Sequence, residues 1–350
     1  MLRWMGKFKA LIMLGIVTLV LTACGKENLT ALDPKGYGAE KSMDLMILST
    51  VIMAAVFIVV MLIFTVVIIR FRRKKGQEDF IPKQVEGNHT LEIVWTAIPI
   101  ILVFILAVPT VMSVFDLADE ADASSSINIE VTGNQYWWHF DYAGEEIQTS
   151  QDLYIPVNEK VYLDINSTDV IHSFWVPTIS GKMDANPENT NTMFIEAYEE
   201  GVYWGKCAEF CGPSHSLMDF KIVVVSQEEY DQWVEDMQNV DPEVQVEDAV
   251  AQEGQELFEA NNCMGCHAIG SSPVAVGPNL TNFANRTTLA GVEDLTKENI
   301  VSWLLDPEAM KPGNKMTGNY PELTEDEAGS IAEYLMQLSH SDITPESASN

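Results

Sequence analysis

Hydrophobic residues concentrate in three predominantly apolar stretches near the start of the chain. The first, 10–20, is short and follows a basic flank, whereas 43–69 and 93–115 are longer. A helix needs about 20 apolar residues to cross a hydrocarbon core of ~30 Å, so both longer stretches qualify as membrane spans. A basic flank before a short apolar core is typical of an export signal. The pattern therefore predicts an export signal over residues 1–23 and a two-helix membrane hairpin over 41–118.

The predicted export signal ends in Leu21-Thr22-Ala23-Cys24, which resembles a bacterial lipoprotein box. In such a box the chain is cleaved before the cysteine, and a lipid is attached to its sulfur. We expect Cys24 to carry lipid and residues 24–40 to form an exported N-terminal segment. The alternative is an uncleaved anchor with an unmodified cysteine, and mass spectrometry of the mature N-terminus separates the two.

The loop between the two predicted spans is basic and contains Arg70-Phe71-Arg72-Arg73-Lys74-Lys75. Basic clusters beside membrane spans stay on the cytoplasmic side. Everything after about residue 116 is then exported. Glu92 stands at the cytoplasmic end of the second span, where a carboxylate either lies in the membrane interface or has a function.

Apolar and polar residues alternate in short segments between residues 125 and 226, for example at 127–131, 161–165 and 220–225. Gly, Pro and Asn turns separate these segments. Such a pattern predicts a Greek-key β-sandwich or barrel. Residues 227–249 are acidic and predict a short helix followed by a linker. The chain is thus a multidomain membrane protein.

Charge is distributed as unevenly as hydrophobicity. The chain has 20 Lys and Arg against 51 Asp and Glu, and the net charge of −31 accumulates after about residue 115. An acidic surface repels nucleic acid and anionic membrane surfaces. The exported part therefore suits a basic partner, or its acidity is only a solvated surface.

The segment 207–218 concentrates metal-binding side chains: Cys207, Cys211, His215 and Met218, with His172 upstream. One cysteine with two histidines and a weak methionine would describe a one-copper electron-transfer site. Two thiolates on one loop can instead bridge two copper ions, and soft thiolate and thioether ligands favour copper. A disulfide of an exported chain and a structural zinc site are the alternatives, and neither uses Met218.

Further along, Cys263-Met264-Gly265-Cys266-His267 has the order Cys-x-x-Cys-His. Covalent heme attachment uses this order, because both sulfurs add to heme vinyl groups and the histidine binds one face of the iron. The alternative, a thioredoxin-like redox pair, lacks its sheet context here. The second axial ligand should lie downstream, where Met310, Met316 and Met336 compete.

Residues 40–230 resemble subunit II of the heme-copper cytochrome c oxidases. The resemblance implies a cupredoxin-like barrel with a dinuclear copper centre, CuA. It implies the copper ligands His172, Cys207, the Glu209 carbonyl, Cys211, His215 and Met218. It also implies that the Glu209 side chain helps to bind magnesium at the contact with the catalytic subunit, and that Asp184 belongs to that contact. Glu92 matches a carboxylate at the mouth of a proton-conducting channel.

The aromatic cluster Gln135-Tyr136-Trp137-Trp138-His139-Phe140 resembles the strip through which electrons reach the copper site in that family. This chain departs from the family at one position, because Tyr136 stands where many members have an exposed tryptophan. Trp137 and Trp138 remain as neighbours. The alternative is an aromatic patch that only packs.

Residues 250–340 resemble a small class I cytochrome c, an all-α fold. Gly277-Pro278-Asn279-Leu280 matches the loop whose proline carbonyl holds the heme histidine. Pro312-Gly313-Asn314-Lys315-Met316 matches the axial methionine loop, so Met316 is the expected ligand, and a methionine raises the heme potential relative to a second histidine. The last helix is expected over 326–338, with Met336 only packing, and residues 341–350 form a tail.

The same resemblance predicts that Gly254 and Phe258 meet Tyr334, and that Trp303 lines the heme. The remaining histidines, His89, His139 and His340, have no ligand pattern and are expected to be structural.

Together these features predict a respiratory oxidase subunit that accepts electrons through its own heme c and passes them to CuA. The resemblance implies a catalytic heme-copper subunit I and other subunits as partners, with oxygen reduction and proton translocation there. A small cytochrome c or an upstream respiratory complex would be the donor. The alternatives are a copper-containing nitric oxide or nitrous oxide reductase subunit and a free-standing electron-carrier lipoprotein. The location is a bacterial cell membrane, with both redox domains on its outer face.

Overall fold

The computed structural model describes residues 12–15, 17, 28–72, 76, 81, 84–118, 127–241, 246–271 and 276–349. The predicted lipid site at Cys24 and the basic residues 73–75 lie outside these ranges.

Two long apolar helices, α1 (Tyr37–Phe71) and α2 (His89–Leu117), form the membrane hairpin. Both are long and apolar enough to cross a membrane, and their apolar side chains face outward. Lys41 Nζ lies 3.2 Å from Asp116 Oδ2 and so joins the start of α1 to the end of α2. This ion pair marks the end of the hairpin that carries the rest of the chain.

Helix α1 begins earlier than the apolar stretch, because its first turn rests on the β-strands that follow α2. Gly36 forms an antiparallel bridge with Ala197. The Tyr198 hydroxyl donates a hydrogen bond of 2.9 Å to Glu40 Oε2. These contacts attach the hairpin directly to the exported domain.

Ten strands form the β domain, a sandwich of two five-stranded sheets. One sheet has the order β3-β2-β1-β5-β8 and the other β4-β10-β9-β6-β7. The strands are β1 (Ile127–Asn134), β2 (Trp137–Tyr142), β3 (Ile147–Ser150), β4 (Asp152–Pro156), β5 (Val161–Ser167), β6 (His172–Trp175), β7 (Lys182–Ala185), β8 (Asn191–Ile195), β9 (Gly201–Cys207) and β10 (Asp219–Val225). The predicted β-sandwich architecture is confirmed.

Alternation along the strands produces the sandwich core. Ile129 of β1 lies opposite Leu163 of the parallel strand β5, and both side chains are buried. Successive side chains of a strand point to opposite faces, so one face of each strand fills the core. Strands β4 and β10 differ, because all of their residues are buried. A strand buried on both faces has an element on its outer side as well.

Helix α3 (Gln227–Gln238) follows β10 and packs on the β domain. Ser226 and Glu229 form a capping box at its start, which satisfies the first free N–H groups of the helix. Trp233 is fully buried and stacks on Tyr154, with ring centroids 4.7 Å apart. The predicted short helix is therefore anchored by its tryptophan.

The helical domain contains α4 (Ala249–Ala260), α5 (Lys297–Leu305), α6 (Pro307–Met310) and α7 (Glu325–Leu335), with the short strands β11 (Thr288–Leu289) and β12 (Glu293–Asp294). Helix α7 ends before residue 338, and Met336 is its C-terminal cap. Phe258 meets Tyr334 as expected, with ring centroids 5.5 Å apart. Gly254 faces the backbone of α7 at Ser330, one turn before Tyr334. The contact of Gly254 with Tyr334 stays a prediction.

The tail after the helical domain returns to the β domain. Ile343 and Ala348 pack against the β-domain core. The Ser341 hydroxyl donates a hydrogen bond of 2.7 Å to Asp236 on α3. The tail thus holds the two exported domains against each other.

Replacing Gly254 with alanine should lower the free energy of unfolding of the helical domain by about 1–3 kcal/mol, the usual cost of overpacking. An added Cβ would come 1.9 Å from the Ser330 carbonyl oxygen. Thermal unfolding of the full chain, followed by heme circular dichroism, measures the change. Gly329→Ala on α7 is the matched control, because nothing lies within 4 Å of its Cβ position. Equal destabilisation by both substitutions would contradict the close-contact explanation.

Candidate functional site

Neighbouring strand ends bring the predicted copper ligands together. His172 begins β6 and Cys207 ends β9, and these two strands pair with Phe174 opposite Cys207. Cys211, His215 and Met218 lie on the connection from β9 to β10. We call residues 207–218 the copper loop.

The two thiols occupy the centre of this group. Their sulfur atoms are 3.9 Å apart. The other groups surround them: His172 Nδ1 lies 3.9 Å and the Glu209 carbonyl oxygen 3.2 Å from Cys207 Sγ, and His215 Nδ1 lies 3.7 Å and Met218 Sδ 3.8 Å from Cys211 Sγ. Among the described residues, His172, Cys207 and Cys211 are also the group close enough to share a metal ion.

The donor set fits a copper pair. Cys207 and Cys211 are free thiols, so they do not adopt the alternative disulfide. The hydrogen bond between the sulfurs lowers the pKa of Cys207 and raises the pKa of Cys211. The pair accepts one negative charge readily and resists a second, because adjacent thiolates repel each other. Soft cations between the sulfurs would remove that repulsion, and the thioether of Met218 favours copper among them.

Asp169 orients His172, a role that the sequence did not reveal. His172 Nε2 lies 2.8 Å from Asp169 Oδ1, which leaves Nδ1 facing Cys207. Burial opposes the charge of Asp169, but hydrogen bonds from His172 and Lys315 outweigh it and lower the pKa of this carboxyl. Burial also opposes the charge of His172, but the bond to Asp169 and the contact with Cys207 raise its pKa. Such partners fix the ring orientation of a metal-binding histidine.

A cavity of about 220 Å³ lies in the helical domain. All the residues predicted to bind heme line it: Cys263, Cys266, His267 and Met316, together with Trp303. Met310 and Met336 are outside its wall, although all three methionines pack against the hydrophobic core of this domain. Of the three competing methionines, Met316 therefore faces the same space as His267.

The proline loop positions His267. Its Nδ1 lies 2.8 Å from the Pro278 carbonyl oxygen, which leaves Nε2 available to iron. Burial lowers the pKa of His267, so the imidazole stays neutral, as a metal ligand must be. An added Cβ at Gly277 would come 2.9 Å from the ring, so only glycine permits this approach.

The β domain closes one side of the cavity. Gln135, Tyr136, Trp137 and Gln151 belong to its wall. Tyr136 is only 3% exposed, so the predicted electron-acceptance position is covered by the helical domain rather than open to solvent. Trp138 is fully buried in the β-domain core, where its ring lies edge-on to His172 at 5.9 Å.

The loop that carries Met316 rests on the copper loop. We call residues 311–316 the methionine loop. The Ser214 hydroxyl donates a hydrogen bond of 2.6 Å to the Pro312 carbonyl oxygen. Lys315 Nζ lies 2.7 Å from Asp169 Oδ2. One loop thus carries both a candidate heme ligand and a partner of the residue that orients His172.

The other predicted residues lie farther out. Glu92 is in the first turn of α2, half exposed, with its Oε2 4.0 Å from His89 Nδ1. Glu209 and Asp184 are exposed on the β domain. His139 lies edge-on to Trp137, and the His340 backbone N–H donates to Asn282.

Three family models match consecutive parts of the chain. Residues 38–112 match "Cytochrome C oxidase subunit II, transmembrane domain". Residues 145–226 match "Cytochrome C oxidase subunit II, periplasmic domain" and residues 251–339 match "Cytochrome c".

Curated relatives match across nearly the whole length. "Cytochrome c oxidase subunit 2" of Alkalihalophilus pseudofirmus is 49% identical over 330 residues, which cover 93% of this chain and 95% of the relative. The protein of the same name from Bacillus subtilis is 43% identical, covering 95% of this chain and 98% of the relative. "Quinol oxidase subunit 2" of Bacillus spizizenii is 33% identical, covering 67% of this chain and 75% of the relative.

A solved structure of the periplasmic domain of subunit II of cytochrome oxidase from Bradyrhizobium japonicum is also similar. It is 28% identical, covers 34% of this chain and 95% of that chain, and has a TM-score of 0.32.

Met316→Leu should lower the heme reduction potential and remove the absorption of iron–methionine ligation, because a neutral sulfur ligand raises the potential. Optical redox titration of the purified full chain measures both. Met310→Leu and Met336→Leu are matched controls, since neither residue lines the cavity. A wild-type spectrum in Met316→Leu, with loss in Met310→Leu, would reassign the ligand.

Proposed function

This chain belongs to the cytochrome c oxidase subunit II family, with a cytochrome c domain toward its C-terminus, and we propose that it relays electrons from its own heme c to a dinuclear copper centre. Family membership makes it one subunit of an oxidoreductase complex, anchored in a membrane and carrying an extracellular domain. The periplasmic-domain match implies CuA copper, and the cytochrome c match implies heme.

One observation carries the proposal: a side chain that lines the cavity of the predicted heme ligands is hydrogen-bonded to the copper loop. Gln135 lines the cavity, and its Nε2 donates a hydrogen bond of 2.5 Å to the Cys211 carbonyl oxygen. From that carbonyl, covalent bonds lead to the Cys211 sulfur. Only one hydrogen bond therefore separates a cavity-lining side chain from a predicted copper ligand.

Bound heme and copper would supply the two one-electron redox couples, and the residues of the chain hold them. Cys263 and Cys266 would attach the heme, and His267 and Met316 would bind its iron. Because Pro278 fixes His267, that ligand moves little when the charge of the iron changes. In the same way, Asp169 fixes His172 on the copper side. His172 and Met218 are fully buried, so little water reorganises around the copper site.

The copper ligand set of the proposal is His172, Cys207, the Glu209 carbonyl, Cys211, His215 and Met218. Electrons would leave the heme cavity through Gln135 and Tyr136, while Trp137 borders the cavity and Trp138 contacts His172. Tyr136 is supported as a bridge because it is buried between the two domains.

Oxygen reduction belongs to another subunit. The chain has six histidines, and of these only His89 lies in or beside the predicted spans. A further heme and copper in the membrane would need several histidine ligands. Family membership implies subunit I and other oxidase subunits as partners. Relatives named cytochrome c oxidase subunit 2 favour an oxidase over a nitric oxide reductase or a free-standing carrier.

Four further assignments extend the proposal toward the complex and the membrane. The exposed Glu209 side chain would bind magnesium together with groups of the partner subunit, and Asp184 would line the same contact. Glu92 would lie at the opening of a proton channel. Cys24 would carry the lipid anchor.

The electron donor is proposed to be basic, such as a small cytochrome c. Residues 250–340 contain thirteen Asp and Glu but only four Lys and Arg. Two of the four basic residues, Arg286 and Lys311, line the cavity. Lys297 pairs with Glu333, and Lys315 pairs with Asp169. The outer face of the helical domain therefore presents mainly negative charge, which attracts a basic protein.

Flash photoreduction of the heme in the purified complex tests the relay. Heme reoxidation should coincide with reduction of the copper pair, followed by its optical and EPR signals. Gln135→Leu should slow this step severalfold, because the hydrogen bond to Cys211 is lost. Gln148→Leu is the matched control, since Gln148 bonds to Asp141 away from the cavity.

Two results of that experiment would count against the proposal. A heme that becomes reduced while the copper pair never does would end the relay. Equal rates in Gln135→Leu and Gln148→Leu would leave the relay intact but remove Gln135 from its route.

Ionic strength should separate the two electron-transfer steps. Reduction of the heme by a basic cytochrome should slow as salt rises, because ions screen charges beyond a Debye length of about 10 Å at 0.1 M. The step from heme to copper should not change, because it is intramolecular. Stopped-flow mixing at several salt concentrations measures both rates, with an uncharged chemical reductant as the control. Salt-independent reduction by the basic cytochrome would contradict the docking proposal.

A further inference from the structure

Lys311 is a buried cation at the boundary of the heme cavity and the β domain. Its side chain lines the cavity, and the residue is only 3% exposed. It begins the methionine loop, directly before Pro312, whose carbonyl accepts the Ser214 hydrogen bond. The contact between the loops therefore fixes the position at which this lysine enters the cavity wall.

The charge of Lys311 has no paired carboxylate among the described residues. Its Nζ donates to the Ala290 carbonyl oxygen, which is a neutral partner. Burial lowers the pKa of Lys311 to about 7, although the charges of Asp219 and Cys211 oppose that effect. The carboxylate of Asp219 is engaged by Lys206 at 2.6 Å.

A buried ammonium group without an anion is costly, so buried charges are paired in folded proteins. Even the exposed lysines of this domain, Lys297 and Lys315, each have a carboxylate partner, whereas the buried Lys311 has a neutral one. A second cation, Arg286, also lines the cavity and donates to the Asn279 carbonyl oxygen. The cavity thus presents two cationic groups to its occupant.

Heme carries two propionate carboxylates on one edge of the ring. We propose that Lys311 binds one of these propionates, at the side of the heme cavity that faces the copper loop. This assignment rests on the proposed heme site and adds a residue to it. Lys311 is a binding residue for the propionate and takes no covalent part in attachment.

Lys311 lies where the heme cavity meets the copper loop, so its positive charge can act on groups of both sites. Lys311 directly precedes Pro312, whose carbonyl accepts the hydrogen bond from Ser214 of the copper loop. A cation there favours the reduced form of any nearby redox group, because added negative charge is attracted to it. Lys311 is also shielded from water, since it is only 3% exposed, and this strengthens its attraction to a propionate.

Infrared spectroscopy of the full complex, with heme carrying ¹³C-labelled propionate carboxyls, tests the proposal. The labelled band in the redox difference spectrum should shift in Lys311→Met and stay close to wild type in Lys311→Arg. The equilibrium constant for heme reduction should fall about tenfold in Lys311→Met, or about 59 mV for one electron. Lys297→Met is the matched control, since it removes a lysine that pairs with Glu333 outside the cavity.

An unchanged propionate band in Lys311→Met would overturn the proposal, as would the same shift in Lys297→Met. A measurement on the unsubstituted complex covers the case in which the variants do not assemble. With ¹⁵N-lysine and ¹³C-propionate labels, solid-state NMR should detect a dipolar contact between a lysine Nζ and a propionate carbon, and absence of that contact would refute the inference.

The outcomes also separate this proposal from the electron relay. A labelled band that shifts in Lys311→Met, in a complex whose copper pair never becomes reduced, supports the propionate contact and contradicts the relay. A chain without covalent heme contradicts both.

Discussion

The direct contact between the copper loop and the methionine loop is the constraint on which the rest of the arrangement depends. Ser214 lies beside His215 and bonds to Pro312, while Lys315 lies beside Met316 and pairs with Asp169. Each contact therefore joins a neighbour of a predicted copper ligand to the loop of a predicted heme ligand. The copper loop is held by strands at both ends, and the methionine loop directly follows α6. A shift of one domain would therefore displace predicted ligands in both sites.

The same contact explains why polar groups are buried where an isolated domain would expose them. Lys221 lies on β10, and its Nζ meets Thr287 of the helical domain. Lys311 and Tyr136 are covered in the same way from opposite sides of the boundary. Polar groups buried between domains need partners supplied by both, and these partners make the fit specific. Most acidic residues of the two exported domains lie on their outer faces, so they do not compete for the cations that are buried between the domains.

At both predicted redox sites, the sequence predicted the ligands better than the residues that surround them. Cys207 with Cys211 and Cys263 with Cys266 lie close in the chain, so their spacing alone indicates sulfur chemistry. The alternating segments of the β domain likewise follow from local side-chain periodicity. The roles of Gln135 and Lys311 were missed because they depend on residues distant in sequence. Asp169 was missed although His172 is only three residues away, because its side-chain direction and its second partner, Lys315, follow from the tertiary fold. The close approach of Gly254 to the Ser330 backbone was not predicted, because the separation of two helices depends on tertiary packing rather than on sequence pattern.

The tail and the methionine loop have a kinetic consequence. Ile343 and Ala348 hold the helical domain against the β domain from one side, and the two loops hold it from another. A tethered and docked reactant is present at a fixed effective concentration. In the proposed relay, electron delivery to the copper pair would then be first order, independent of how abundant the soluble carriers are. Collision with a soluble electron donor would take place at the acidic outer face of the helical domain. Slow or infrequent collisions there would not change the rate constant of the intramolecular step to the copper pair.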